Sequence, residues 1–277
     1  MPAPPPKFER KDIGSANVRF PTGTGMPDPL DRAVDPYEPT KRSRGLTVKA
    51  FQAWPQKQSP FPAVIILHEW WGLTSHFQDL AYRLAQHGYV ALAVDQYSRI
   101  GSVVTSDPAL ASQFMAQVNT SHLMQDLTAA SEYLNYQEYV KKNRIAVLGF
   151  SMGGSNALSY ACARRQLRAA VAFYGRVPQE PLSGLHCPIQ YHQAETDDWI
   201  TDQEVAFLSS TLTAAKVPCH VYKYPGTSHA FFNDTRPDAY KPDAAAEAWS
   251  RTLAFLDQYI LADHPGVRPL PDSLRRV

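Results

Sequence analysis

A serine between two glycines is the residue of this 277-residue chain best suited to covalent chemistry. Ser151 lies in the sequence Gly-Phe-Ser-Met-Gly at residues 149–153, between an apolar run at 145–148 and a small-residue helix predicted over Ser155–Ala163. Such a sharp strand-to-helix turn exposes the hydroxyl at a helix N-terminus, where backbone N–H groups attract an anion. The pattern indicates a nucleophilic serine; the alternative is a serine in an ordinary strand-to-helix turn.

A nucleophilic serine needs an oriented base, and two loops further along the chain offer one. The sequence predicts strands at Arg168–Tyr174, Pro188–His192 and Cys219–Tyr224, separated by helices as in βαβ units. The loops after the last two strands carry Asp197 and His229. Because the carboxyl ends of parallel strands meet at one edge of a sheet, we expect these side chains to lie near the serine. The order serine, aspartate, histidine is that of an α/β-hydrolase.

Nine histidines compete for the role of the base, and position favours His229. It alone combines a glycine-led loop, a following pair of phenylalanines and the last predicted strand. For the acid, Asp197 and Asp198 are adjacent, so that only one can point inward, and we favour Asp197. The alternative is that both aspartates cap the helix predicted near Thr201–Ala215.

Further short segments extend this pattern over most of the chain. They are His-Glu-Trp-Trp-Gly at 68–72, Val-Asp-Gln-Tyr-Ser-Arg at 94–99, the turn at 149–154, Ala-Glu-Thr-Asp at 194–197 and Tyr-Pro-Gly-Thr-Ser-His at 224–229. Together they resemble the dienelactone hydrolases, a branch of the α/β-hydrolase superfamily, from about Ala63 to Ile260. The resemblance implies the α/β-hydrolase fold, with a mainly parallel central sheet and helices on both faces.

The resemblance also implies residue roles. Ser151 would be the nucleophile, His229 the base and Asp197 the acid. Trp70 and Met152 match the positions whose backbone N–H groups form the oxyanion hole. Arg99 matches the first of two arginines that hold a substrate carboxylate in similar enzymes, and Glu69 matches a glutamate close to the nucleophile; we expect both to contact substrate.

Two departures from the family pattern bear on substrate and mechanism. Ser151 stands where the ring-cleavage enzymes of the family use cysteine, and a hydroxyl is much harder to ionise than a thiol. Three roles are therefore open for Glu69: a hydrogen bond to substrate, orientation of the oxyanion loop, or satisfaction of buried backbone groups. Asn233 stands where the second arginine would fall, so half of the carboxylate site is missing.

Aromatic residues in or beside the proposed loops predict a pocket for small apolar or aromatic esters and lactones. Tyr97 and Trp199 are the two that we expect to bind substrate. The alternative for each aromatic residue is packing in the core. The set is Trp70, Trp71, Tyr97, Trp199, Phe231 and Phe232, with Tyr174 as a further candidate.

Composition narrows the functional classes. The 27 basic and 26 acidic residues give no support to binding of nucleic acid or a charged membrane surface. No apolar run is long enough for a membrane span, and the N-terminus lacks the apolar core of a signal peptide. Three cysteines form no disulfide framework or metal motif. We expect a cytoplasmic protein without metal or cofactor, whose partner is a small ester or lactone; no oligomeric state is predicted.

The chain divides by composition into three regions. Residues 1–62 hold 12 of the 23 prolines and are expected to form a largely irregular arm on the core, with strands at Leu46–Trp54 and Asn17–Phe20. Residues 63–262 form the predicted catalytic domain, and 263–277 a tail. Within the domain we predict strands at Ala63–Leu67, Tyr89–Val94 and Arg144–Leu148, and helices at Ser75–Gln86, Ala109–Val118, Leu123–Tyr139 and Ala244–Tyr259.

Three functions fit these observations. The first is a carboxylic ester or lactone hydrolase that works through a Ser-His-Asp triad and an acyl-enzyme. The second is a serine peptidase or acyltransferase on the same fold. The third is a non-catalytic binding protein, which would require a defective triad.

Overall fold

A single sheet runs through the protein in the computed structural model, which describes residues 3–22, 46–57, 60–178 and 182–261. Its strands, in chain order, are β1 (Ile13–Pro21), β2 (Thr47–Pro55), β3 (Phe61–Leu67), β4 (Val90–Val94), β5 (Val140–Phe150), β6 (Ala169–Phe173), β7 (Ile189–Thr196) and β8 (Cys219–Ser228). The α-helices are α1 (Ser75–Gln86), α2 (Pro108–Gln117), α3 (Thr120–Tyr136), α4 (Met152–Ala163), α5 (Asp202–Ala214) and α6 (Pro242–Leu256).

The strand order is β1-β2-β4-β3-β5-β6-β7-β8. β1 pairs antiparallel with β2, and β2 pairs antiparallel with β4. All pairings from β4 to β8 are parallel. This mostly parallel sheet with helices confirms the predicted α/β-hydrolase fold, and it brings the carboxyl ends of β3 and β5 to β8 to one edge.

Helices cover both faces of the sheet because strand residues alternate between two apolar cores. In β3, Val64 and Ile66 face the core that α1 and α6 close, while Ile65 and Leu67 face the core that α3, α4 and α5 close. Strands buried on both faces read as continuous apolar runs, which is why the central strands were predictable from sequence.

The helices agree with prediction to within a few residues. α1 has the predicted bounds and buries Phe77, Leu80 and Leu84, the spacing of one helical face. α3 begins at Thr120 rather than Leu123, because the Asn119 side chain accepts a hydrogen bond from the backbone N–H of His122 and caps the helix earlier. The capping box of α5 is formed by Thr201 and Glu204.

The N-terminal arm is more regular than expected where the structure describes it. β1 extends the predicted strand at Asn17–Phe20 to nine residues, and β2 joins it to the central sheet through β4. Of the twelve prolines in residues 1–62 only Pro21 and Pro55 lie in these strands, each at a strand end, so residues 13–21 and 47–55 can join the sheet. Residues 23–45 of the arm and the predicted tail at 263–277 lie outside the described residues. The division at residue 63 therefore stays a prediction.

Among the described residues, no helix combines the length and hydrophobicity that crossing a bilayer requires.

Candidate active site

Ser151 occupies a strained turn between β5 and α4. Its backbone angles are φ 51° and ψ −117°, a region that non-glycine residues rarely adopt. Its backbone N–H donates to the Phe173 carbonyl oxygen at 2.9 Å, and its own carbonyl accepts from the Ser155 N–H at 3.0 Å. Such strain costs about 1–3 kcal/mol and persists only where surrounding structure imposes it. The surrounding structure therefore holds the serine in this conformation, half-buried at the wall of the cavity.

The two glycines of the motif permit a close approach of backbones. A Cβ atom on Gly149 would lie 1.9 Å from the carbonyl oxygen of Gly153, and one on Gly153 would lie 2.2 Å from that of Leu67. These contacts explain why α4 begins directly after the serine and packs tightly on β3 and β5.

The variant Gly149→Ala is expected to lose at least about 3 kcal/mol of unfolding free energy, because a methyl group cannot occupy the space of a backbone carbonyl. Urea denaturation measures this loss. Gly88→Ala is the control: Gly88 has φ +91° but its Cβ would meet only ordinary contacts, the nearest at 3.5 Å, so backbone strain alone should cost it about 1–2 kcal/mol. Equal losses in the two variants would contradict the packing explanation.

The three residues predicted as a triad lie in one chain of hydrogen bonds. Ser151 Oγ is 2.8 Å from His229 Nε2, and His229 Nδ1 is 2.8 Å from Asp197 Oδ2. Since an ionised carboxylate only accepts, Nδ1 carries the proton and Nε2 is free to accept the serine proton. Distant loops after β7 and β8 thus converge on the turn after β5.

Asp197 is the aspartate that points inward. Its side chain is 2% exposed, and Oδ1 accepts hydrogen bonds from the backbone N–H groups of Trp199 at 2.9 Å and Ile200 at 3.2 Å. Asp198 is exposed and lines the cavity instead. The alternative in which both aspartates cap α5 does not hold, because Thr201 occupies the N-cap position.

The loop after β3, which carries Trp70, is tied to the segment after β4. The Tyr97 hydroxyl donates to the Trp70 carbonyl oxygen at 2.7 Å, and the Gln96 side-chain amide donates to the His68 carbonyl at 2.7 Å. His68 Nε2 accepts the Gln96 backbone N–H at 3.0 Å. Met152 is the first residue of α4, where a backbone N–H has no acceptor within the helix. The oxyanion role of Trp70 and Met152 stays a prediction.

Glu69 is buried beside the candidate triad, and both of its carboxylate oxygens are occupied. Oε1 accepts from the Tyr174 hydroxyl at 3.0 Å, and Oε2 accepts from the Asn233 amide at 2.8 Å. Burial raises the pKa of the Tyr174 hydroxyl well above its ordinary value, so that this group stays a donor. From the sequence, Asn233 was noted only because it stands where an arginine would fall. Nothing in the sequence indicated its hydrogen bond to Glu69, which lies 164 residues earlier in the chain.

A cavity of about 580 Å³ opens above Ser151 and His229. Trp70, Trp71 and Trp199 form an aromatic side, and Glu69 and Tyr174 also reach it. Four charged residues that the sequence did not predict as a group also line the cavity: Arg176, Asp198, Arg236 and Asp238. They lie in the loops after β6, β7 and β8. Nothing in the sequence around Arg176 or Arg236 indicated that these two arginines would reach the cavity.

The structure does not bring Arg99 to this cavity. The guanidinium binds Asp126 through Nε at 2.8 Å and Nη2 at 2.7 Å, and it borders a separate cavity of about 300 Å³. The expectation that Arg99 holds a substrate carboxylate is therefore corrected: its charge is already satisfied by a carboxylate of the protein.

Three predicted aromatic residues are also placed differently. Tyr97 is fully buried and does not line the cavity; it supports the loop of Trp70 from behind. Phe231 and Phe232 are buried in the core that α1 and α6 close. Trp199 is where it was expected, beside His229, with its ring 6.0 Å from the imidazole. For the first three residues the core-packing alternative is correct.

Among the described residues, no cluster of three or more His, Cys, Asp or Glu side chains could hold a metal ion.

Comparison with known proteins shows the family to which the chain is similar. The sequence model of the "Dienelactone hydrolase family" matches residues 48–260. A relative from Escherichia coli K12 named "Putative carboxymethylenebutenolidase" is 32% identical over 231 residues, which cover 78% of this chain and 84% of the relative. A relative from Bradyrhizobium named "Probable 2-oxo-3-(5-oxofuran-2-ylidene)propanoate lactonase" is 31% identical and covers 75% and 88%.

Solved structures show the same fold. The structure described as "Putative Dienelactone Hydrolase" from Klebsiella pneumoniae superposes with a TM-score of 0.74 at 27% identity, covering 89% of this chain and 99% of that one.

Proposed function

The chain belongs to the dienelactone hydrolase family, and from this premise we propose that it hydrolyses carboxylic esters and lactones through Ser151, His229 and Asp197. One observation carries the proposal. Ser151 is hydrogen-bonded to His229 and His229 to Asp197, both at 2.8 Å, and Ser151 lines a cavity large enough for a small ester. The names of the relatives, a carboxymethylenebutenolidase and a lactonase, support the same class of hydrolase.

Acylation begins when Ser151 Oγ attacks the ester carbonyl carbon and its proton passes to His229 Nε2. Asp197 holds the imidazole in the required tautomer and stabilises the imidazolium that forms. His229 then returns the proton to the leaving oxygen as the ester bond breaks. The product is an acyl group on Ser151 and a free alcohol, or the ring-opened hydroxyacyl chain when the substrate is a lactone.

The negative charge that develops on the carbonyl oxygen requires donors beside Ser151. We propose the backbone N–H groups of Met152 and Trp70, the first at the N-terminus of α4 and the second in the loop that Tyr97 supports. One donor of this kind contributes about 3–4 kcal/mol to the transition state in a well-studied serine protease. Fixed backbone groups suit this role because they need no reorganisation during the reaction.

Deacylation repeats these steps with water. His229 removes a proton from water as the oxygen attacks the acyl carbon, and it then protonates Ser151 Oγ as the acid leaves. A peptidase or acyltransferase would share the acylation step and differ in substrate or acceptor. A binding protein without activity would need a broken triad, which the observed hydrogen bonds do not favour.

Rapid mixing with excess p-nitrophenyl acetate tests the proposal through the acyl-enzyme. We expect a burst of about one p-nitrophenol per chain when deacylation is slower than acylation, followed by steady turnover to acetate. If no burst appears because deacylation is the faster step, several acetate esters should still divide their acetyl group between water and added methanol in one constant ratio, because they share the acyl-enzyme. A ratio that changes with the leaving group would contradict the proposed mechanism.

A further inference from the structure

The aromatic side of the cavity forms one continuous surface that reaches the base. The ring centroids of Trp70 and Trp71 are 4.8 Å apart with planes at 63°, and those of Trp70 and Trp199 are 5.2 Å apart at 78°. The Trp199 ring lies 6.0 Å from that of His229, with only 25° between their planes. A flat group bound on this surface would therefore lie next to the reacting atoms.

Trp199 leaves much of its ring open to the cavity. It is 43% exposed, although most large aromatic side chains of the described residues are buried. Its backbone N–H donates to Asp197 at 2.9 Å, which fixes the residue beside the triad. An exposed tryptophan held in one position offers an apolar face for a ligand ring at little cost in conformational entropy.

The charges around the cavity do not favour an anion. Three carboxylates line it, from Glu69, Asp198 and Asp238, against the two guanidinium groups of Arg176 and Arg236. Arg236 is already engaged: it binds both carboxylate oxygens of Asp238, at 3.0 and 2.6 Å. It also lies 4.9 Å above the ring of Trp71. Like charges that face a ligand reduce its affinity, so a negatively charged substrate would be disfavoured here.

The positions from which a carboxylate site was expected do not supply positive charge to the cavity. Arg99 pairs with Asp126 elsewhere, and Asn233 donates its amide to Glu69. Asn233 is thus committed to a buried carboxylate of the protein and carries no charge of its own.

We infer that the preferred substrates are uncharged esters or lactones that carry a planar aromatic group, which packs on Trp71 and Trp199 while the ester carbonyl lies over Ser151. This inference deepens the proposed hydrolase function and rests on it. On this inference, the substrate preference of this protein differs from that of enzymes that recognise a carboxylate on their substrate.

Three matched acetates test the substrate class: phenyl acetate, its para-carboxylate 4-acetoxybenzoate, and ethyl acetate. Each kcat/KM is divided by the rate constant of hydroxide-catalysed hydrolysis, which removes differences in intrinsic reactivity. We expect the normalised value for phenyl acetate to exceed each of the other two by about 10-fold or more. A higher value for the carboxylate ester, removed by Arg176→Ala, would overturn the inference in favour of an anion site.

Variants of the aromatic surface provide a second readout. Trp71→Leu should lower the normalised kcat/KM for phenyl acetate about 10-fold more than that for ethyl acetate, while Trp71→Phe should retain most of the preference. Phe207, an exposed aromatic residue of α5 that does not line the cavity, gives the control variant Phe207→Ala with unchanged kinetics. Equal losses for both esters in Trp71→Leu would overturn the inference.

Failure of the inference and failure of the proposed function are distinguishable. Wild-type enzyme that hydrolyses all three acetates without preference, and loses all activity in Ser151→Ala, would retain the proposed function and reject the aromatic substrate class. Hydrolysis that persists in Ser151→Ala would reject the proposed function itself.

Discussion

Replacing Ser151 by alanine should lower kcat for p-nitrophenyl acetate by about 10⁴- to 10⁶-fold. The variant lacks the oxygen that attacks the carbonyl, while the cavity walls that bind the ester stay in place. We therefore expect KM to change little, because it reports mainly on those walls when chemistry is slow. Residual turnover would come from water that attacks an ester polarised by the backbone donors. Steady-state kinetics on protein free of wild-type contamination measures both constants.

Ser155→Ala is the matched control for this prediction. Ser155 lies one helical turn further along α4, lines the same cavity, and has its Oγ 3.3 Å from the carbonyl oxygen of Ser151. Among the described residues, its hydroxyl forms a hydrogen bond with the Ser151 carbonyl oxygen and with neither His229 nor Asp197, so we expect kcat to stay within about fivefold of wild type. A loss in Ser155→Ala as large as that in Ser151→Ala would show that the turn, and not the Ser151 hydroxyl, is needed.

The second large effect is expected from the acid. Asp197→Asn should lower kcat by about 10³- to 10⁴-fold, because an amide can donate to Nδ1 and so favours the tautomer in which Nε2 carries the proton and cannot accept the serine proton. The amide also removes the charge that stabilises the imidazolium. The backbone bonds from Trp199 and Ile200 to Oδ1 can be kept by the asparagine oxygen, so the loop should retain its conformation.

Asp198→Asn provides the comparison for the acid. This neighbouring aspartate is exposed and has the same change of charge, and we expect its kcat to fall by less than about tenfold. If the two variants lost activity equally, the assignment of the acid to Asp197 would be wrong, and a general effect of negative charge at the cavity would explain the data.

The local part of this site was predictable from sequence because short-range sterics determine it. Glycines at 149 and 153, on either side of Ser151, indicate that backbone segments approach each other here more closely than a side chain allows. A Cβ atom at these two positions would lie only 1.9 Å and 2.2 Å from a backbone carbonyl oxygen. The loops of Asp197 and His229 were predictable because each follows an apolar strand, and parallel strands end at a common edge.

Pairings between distant side chains were not predictable. Arg99 is bound by Asp126 and Asn233 by Glu69, and neither pair has a spacing or periodicity that marks it in the sequence. Glu69 lines the same cavity as Ser151, but the family resemblance gave no indication that two neutral donors occupy its carboxylate. Tyr174 is one of these donors, and its backbone has an unusual φ of 37° that local propensity does not indicate.

The N-terminal arm contains more strand than its overall composition predicts. Prolines and glycines favour irregular structure, but ten of the twelve prolines in residues 1–62 lie outside β1 and β2, which pair with each other and, through β4, with the central sheet. Pro21 ends the edge strand β1, where a missing backbone donor is tolerated, and Pro55 lies outside the residues of β2 that pair with β4.

Covalent labelling of the protein by a fluorophosphonate, followed by peptide mass spectrometry, shows directly whether Ser151 is the nucleophile. We expect one phosphonyl group per chain, located on Ser151, with loss of esterase activity in proportion to labelling. We also expect His229→Gln to slow labelling strongly, since no base then removes the serine proton. A fully active enzyme that resists the reagent, or inactivation by a label on another residue while Ser151 stays unmodified, would exclude Ser151 as the nucleophile.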